Sequence, residues 1–451
     1  MRTVGLSDMT RTLLQGGEVI DGTGAAPRPG TPVLIDGDRI VAVGESAVAA
    51  TTAGEHEAPA VVDVAGLTVM PGIIDSHCHV TLGEPASNDE LFYHREPASA
   101  ALIAAFNVQK LLRAGVTSFL DPDGLFNIGP ALRDAIAAGM VEGPTMRAGA
   151  WALMTAVGGT AGRMIPDGGT AGYAEVVRTR DEMVLATRRQ IKNGADVIKI
   201  HVTGSIPGRP GELQVWTLEE LRVVCDTAHD LGVRVVAHCR GADATRDSAL
   251  AGVDIIFHAS YMDEAALEAI HASGAALCPV FTFLANLAEH GPKVGATSSA
   301  QDIFRSEMEQ TGRMIRKAYD EGVPLLAGSE SGFSLTPYGH WHYREMEIFV
   351  EHLGLSPLQA ITTGTKNGAI AMDEVGEVGT IEAGRRADIL VLEGDPSSDI
   401  SILGDRRRFR YLWARGRSIA LSRPWPERRP LAGEKPSSWS AVPLTWDLVH
   451  P

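Results

Sequence analysis

Four cysteines in 451 residues, Cys78, Cys225, Cys239 and Cys278, are too few and too scattered for a disulfide framework, and no CxxC pair offers a thiolate metal site. A reducing compartment is the expectation. No apolar run reaches the roughly 18 residues that a membrane-crossing helix needs. The opening MRTVGLSDMTRTLLQGG lacks a sustained apolar stretch with a small-residue cleavage site, so a cytoplasmic protein is expected. Basic residues are in deficit: 40 Lys and Arg stand against 56 Asp and Glu, a formal charge of −16. A nucleic-acid partner is therefore not expected, because such binding runs on clustered cations that displace counterions. The basic run Arg406 to Arg410 is short and reads as a solvated surface segment. With 44% hydrophobic and 21% charged residues, the chain falls among ordinary globular proteins, and its length predicts one large domain with a smaller companion.

What is present is a change of period along the chain. The first 70 residues alternate short β-type runs with Asp-Gly and Gly-Gly turns (TLLQGGEVIDGTG, TPVLIDGDRIVAVGE, AVVDVAGLTVM), which read as hairpins of a small antiparallel sheet. The same texture returns in EVGTIEAGRRADILVLEGD and RRRFRYLWARGRSIAL, and the two ends can pair into one sandwich. Between them, apolar runs predict buried parallel strands at residues 73–76, 115–120, 145–150, 196–200, 234–237, 254–257, 275–279 and 323–327. Segments of helical period separate most of them, three closing on a Gly as a helix C-cap does. Eight alternations over about 300 residues predict an α/β fold, a (β/α)8 barrel; a doubly wound open sheet is the alternative. The expected organisation is a β-sandwich part over residues 10–70, the barrel over 71–372, a second sandwich part over 373–425 and a tail over 426–451. Two Gly-rich connections, 153–173 and 202–216, follow predicted strands and read as binding loops over the barrel's C-terminal face.

The stretch PGIIDSHCHV places His77 and His79 on one side of a strand end, because side chains repeat every second residue, and turns Cys78 the other way. Two neutral imidazoles so placed can chelate a divalent ion, although HxH spacing alone is a weak signal. The remaining candidates strengthen it. Lys199 ends DVIKI, His238 ends RVVAH, His258 ends DIIFH and Glu330 follows PLLAGS, each at the C-terminal end of a different predicted strand. A barrel brings those ends to one rim. His201 shares the face of Lys199 and is a further contact candidate. His340 and His342, in TPYGHWHYRE, fall in a loop with Trp341 and Tyr343 that reads as a pocket wall.

The order HxH, Lys, His, His, acid, together with PGIIDSHCH and EAGRRADILVLEGDP, resembles the amidohydrolase superfamily of metal-dependent hydrolases over nearly the whole chain. GADVIKIHVTG, AGVDIIFH, AGSESG and TPYG further resemble the branch of Xaa-Pro dipeptidase-like enzymes and phenylurea or carbamate hydrolases. The resemblance implies one or two divalent ions, zinc first and Mn, Co or Fe otherwise, held by His77, His79, Lys199, His238, His258 and Glu330. It implies an N6-carboxylated Lys199 bridging two ions, and Glu330 and His238 as catalytic groups. Glu330 departs from the family, which has Asp at that place; the extra methylene moves an oxygen by about an ångström, a misplacement that can cost on the order of a hundredfold in rate.

The expected chemistry is hydrolysis of a C–N bond in an amide, urea or carbamate by a metal-bound hydroxide, an N-aryl urea or carbamate and an Xaa-Pro dipeptide being the nearest substrates by resemblance. Deamination of a cyclic amidine or heterocyclic amine, and a non-catalytic barrel with a structural metal, are the alternatives. A serine nucleophile finds no GxSxG, and AVGGTAG has no following Lys to make a phosphate loop. A small-molecule substrate and a homo-oligomer complete the expectation.

Overall fold

The computed structural model describes residues 11–52, 58–85, 95–159, 172–204, 211–295, 298–429 and 440–450. The N-terminal segment forms β1 (Thr12–Gln15), β2 (Glu18–Val19), β3 (Val33–Asp36), β4 (Arg39–Val43), β5 (Ala60–Asp63) and β6 (Leu67–Pro71). These split between two sheets. One has the order β4-β3-β1-β5. The other joins β2 and β6 to β18 (Ile389–Glu393), β19 (Phe409–Ala414) and β20 (Arg417–Ser418), so the two ends of the chain do meet. Ile389 to Glu393 lie antiparallel to Leu67 to Pro71 in unbroken register.

The expected all-antiparallel arrangement is corrected: β3 runs antiparallel to β1 and β4, but β1–β5 and β2–β6 are parallel. β3 and β4 fold back on each other, whereas β1 and β2, and β5 and β6, pass from one sheet to the other. Leu14, Val33 and Ile35 from the first sheet and Val69, Ile389, Val391 and Trp413 from the second bury into one apolar cluster.

The middle of the chain supplies β7 (Ile73–Asp75), β8 (Val116–Asp121), β9 (Thr145–Ala148), β10 (Ala152–Met154), β11 (Ala174–Val176), β12 (Val197–His201), β13 (Thr203–Gly204), β14 (Leu213–Gln214), β15 (Arg234–Cys239), β16 (Ile255–His258) and β17 (Ala276–Cys278). Every residue of β8 and β12 is buried, as expected for parallel strands covered on both faces. The intervening helices have local reasons to start and stop. Thr217 and Glu220 form a reciprocal capping box at the start of the helix Leu218–His229, and the chain leaves it through Gly232 at φ +72°, a backbone state open to glycine.

The parallel ladders form two arcs, β7-β8-β9 and β11-β10-β12-β15-β16-β17, an α/β, TIM-barrel-like arrangement without a continuous closed ladder among the described residues. A few backbone hydrogen bonds span the gaps. Asp196 N donates to Ala148 O (2.8 Å), Leu326 N to Leu277 O (2.8 Å) and Ser76 N to Ala327 O (2.9 Å).

The run 323–327, expected as the eighth strand, lies between β17 and β7 but has only one bridge, Leu277 to Leu325. Pro324 has no N–H to give. The Ala327 N–H goes to Thr363 O, and Leu325 O accepts from Asn367 Nδ2, so groups that would make rungs are bound elsewhere. Short strands mark the two connections read as loops: β10 and β11, parallel to each other, stand at the two ends of the first, and β13 and β14, antiparallel, lie within the second. Residues 160–171 and 205–210 of those connections lie outside the described residues.

Candidate metal centre and active site

His77 and His79 follow β7 directly and turn the same way. Their Nε2 atoms stand 2.9 Å apart. Ligands about 2.0 Å from a zinc ion at the tetrahedral angle are roughly 3.3 Å apart, so the pair has close to the spacing of two ligands on one ion. His79 Nδ1 lies 3.0 Å from Asp123 O, the backbone contact that fixes a ligating imidazole's tautomer. Cys78 points into the apolar core. A carboxylate oxygen of Glu330 lies within 4.8 Å of ligand atoms of both histidines. These residues fit a divalent ion.

Glu330 reaches this position on an uncommon backbone. Its φ is +52°, the left-handed region that costs of order 1–3 kcal/mol for a side chain to occupy. Neighbours hold it there: Glu330 N donates to His77 O (2.8 Å), and Thr336 Oγ1 to Glu330 O (2.7 Å). One residue earlier, Ser329 donates through N and Oγ to the two oxygens of Asp75 (3.0 and 2.6 Å). The same backbone region recurs at two other strand ends, at His258 (φ +67°) and Val280 (+57°).

His258 and His238 sit with ring centroids 4.5 Å apart, and His258 is 5.8 Å from His77. Among the described residues His258 Nε2 is buried without a hydrogen-bond partner, a state costing about 1–3 kcal/mol unless something binds there. His238 Nε2 meets Glu212 Oε2 at 2.8 Å. Lys199 Nζ pairs with Asp123 Oδ1 at 3.2 Å and lies 4.5 Å from the centroid of the Phe257 ring. His201 shares the Lys199 face as expected, with Nε2 3.3 Å from Asp123 Oδ2 and its ring stacked on His238.

Burial sets the protonation states. It holds the imidazoles of His77, His79 and His258 below their ordinary range, with Lys199 contributing at each. Neutral imidazole is the ligating form. Burial also lifts the Glu330 carboxyl to about 7, against the opposing pull of Arg240 and Lys199; the side chain is half-buried, yet surrounding protein withholds much of its water. For Glu212, burial acts upward, but His238, Arg240 and Thr203 outweigh it and bring the carboxyl to about 2.

A model of the amidohydrolase family matches residues 68–419 of the chain. The chain belongs to the amidohydrolase family. Ochratoxinase from Aspergillus niger is 26% identical over 438 residues, covering 90% of this amidohydrolase and 86% of the relative. Among solved structures, a prolidase complexed with N-methylphosphonate-L-proline superposes with a TM-score of 0.78 at 29% identity, covering 91% of this chain and 99% of that one. A Xaa-Pro dipeptidase with methionine bound in its active site gives a TM-score of 0.77 at 26% identity, with 91% and 100% covered. This amidohydrolase is an enzyme acting on carbon–nitrogen bonds.

Several residues that shape the amidohydrolase site were not among the sequence candidates. Asp121 ends β8 and Asp123 follows it, where DPDG carried the signal of two carboxylates around a proline at a strand end. Glu212 lies far from His238 in sequence and is placed by β14. Arg240, two residues past His238, is gripped by Glu307 through Nε and Nη2 (2.8–3.2 Å), and Ser260 Oγ donates to the same carboxylate. His342 proves structural: its Nδ1 is 2.6 Å from Asp75 Oδ2, and its Nε2 accepts from Gly339 N. His340 accepts from Trp446 N and contacts the C-terminal helix. Among the described residues no helix is long and apolar enough to cross a membrane.

Proposed function

We propose that this amidohydrolase hydrolyses the C–N bond of a small amide, with dipeptides ending in an imino acid as the first substrate class to test and N-aryl ureas or carbamates as the second. The relatives at 26–29% identity that are named for Xaa-Pro dipeptides, a proline phosphonate and ochratoxin support that order. The observation that carries the reading is the convergence of His77, His79 and Glu330 within 4.8 Å, with a buried His258 nitrogen beside them that has no partner among the described residues.

In this reading His77, His79 and Glu330 hold a divalent ion, zinc first. His238, His258 and Lys199 complete the functional set on the facing strand ends. The ion supplies Lewis acidity and a lowered pKa for water. Glu330 takes the proton of the attacking water and delivers it to the leaving nitrogen, one carboxylate serving both steps. The Nε2–H of His238, which Glu212 Oε2 orients at 2.8 Å, is the donor assigned to the carbonyl oxygen as negative charge develops there. The barrel over residues 71–372 and the two sandwich parts flanking it are the domain organisation we attach to this function.

A panel of Xaa-Pro dipeptides, N-acyl amino acids, N-aryl ureas and carbamates, assayed with zinc present and after chelation, tests the proposal. Zinc-dependent release of amine from at least one class is expected. Ammonia as the only nitrogenous product would make the enzyme a deaminase instead, and turnover untouched by chelation would contradict the metal reading.

A further inference from the structure

Resting on the reading that His77, His79 and Glu330 hold an ion, a further inference concerns the lysine. The family resemblance calls for a carboxylated lysine spanning two ions, and the surroundings of Lys199 do not fit that group. Asp123 Oδ1 lies 3.2 Å from Nζ, with the two side chains 2% and 0% exposed. Carboxylation would turn this cation into an anion and set it against a buried carboxylate. The Phe257 face, 4.5 Å from Nζ, attracts a cation and repels an anion because the ring's quadrupole is negative on its face. Asp123 is not free to swing clear: its other oxygen faces His201 Nε2 at 3.3 Å. A second ion would also need His238, whose Nε2 is taken by Glu212 at 2.8 Å, while Glu212 accepts from Thr203 Oγ1 at 2.6 Å.

We propose that Lys199 is an uncarboxylated cation locked between Asp123 and Phe257, and that the centre is mononuclear. Asp123 is then a positioning residue, acting through the lysine. The positive charge opposite the His77–His79 pair comes from an ammonium group, available to the developing oxyanion of the substrate.

Zinc content by plasma mass spectrometry, with 13C NMR of protein equilibrated in 13C-bicarbonate, decides the matter. About one zinc per chain, unchanged by bicarbonate, and no carbamate carbon signal are expected, with or without metal. Two zinc ions per chain with bicarbonate-dependent uptake, or a carbamate signal that disappears in Lys199→Arg, would overturn the proposal. Asp123→Asn, nearly isosteric and so expected to fold, should release the lysine and create the carbamate signal; an Asn variant still without it would refute the role of Asp123. Zinc-free protein under metal-replete conditions would instead strike at the reading of the His77–His79–Glu330 centre, and the NMR signal would still report the state of Lys199.

Discussion

Shortening Glu330 to the acid usual in the family is the most revealing single change. In Glu330→Asp the carboxylate retracts by one methylene, while the backbone has little room to follow: Glu330 N is tied to His77 O, Glu330 O to Thr336, and Ser329 is tied twice to Asp75. An ångström-scale retreat from a geometry that places its oxygen within 4.8 Å of both His77 and His79 ligand atoms should cost on the order of a hundredfold in kcat/KM, or about 2.7 kcal/mol of transition-state stabilisation. The assay is steady-state hydrolysis of the best dipeptide or amide substrate, with bound zinc measured on the same preparation. A lower zinc affinity should accompany the loss. A rise in kcat/KM would refute the reasoning, since it would mean that the left-handed turn has not already absorbed the longer side chain.

Other changes probe the supports. A Cβ at Gly328 would stand 2.8 Å from His77 Cβ and 2.7 Å from Cys278 Sγ, so Gly328→Ala should displace His77, cost about 1–3 kcal/mol of stability and weaken zinc binding; unchanged zinc affinity by competition with a chromophoric chelator would contradict this. Glu307→Ala leaves the largely buried Arg240 guanidinium without its bidentate partner, an expected loss of about 3–5 kcal/mol in urea unfolding; a loss below about 1 kcal/mol would show that the pair is dispensable. Burial lifts the Glu345 carboxyl to about 8 despite donation from Phe281 N, Thr282 N and Thr282 Oγ1. The unfolded chain releases that proton near 4.5, so this group's contribution is fully present below that pH and is lost as pH rises toward 8, by at most about 5 kcal/mol. Urea midpoints measured from pH 5 to 9 should fall less steeply in Glu345→Gln than in the parent, and parallel profiles would contradict the assignment.

The parts of this enzyme legible in its sequence are those governed by short-range periodicity. His77 and His79 share a side because a strand repeats every second residue, and seven expected barrel strands coincide with observed ones because apolar runs of four to six residues have to be buried on both faces. The eighth run, 323–327, failed as a strand because its rungs are competed away by Thr363 and Asn367, residues whose proximity only the tertiary structure supplies. The direction of β5 and β6 was likewise hidden, since pairing β1 or β2 in parallel depends on which sheet a run joins. Partners distant in sequence left little local trace: Glu212 for His238, Glu307 for Arg240 and Asp75 for His342. Asp123 did leave one, in a DPDG turn at a strand end, but its role depends on where Lys199 lies.

The central claim is that side chains from separate strand ends gather on one divalent cation, and a zinc-edge anomalous difference map from crystals grown without chelator tests it most directly. The account predicts a single strong peak bonded to His77 Nε2, His79 Nε2 and a Glu330 oxygen, absent from crystals of His77→Ala. No peak at that place after growth in zinc-replete medium, or a peak held by other residues, would contradict it.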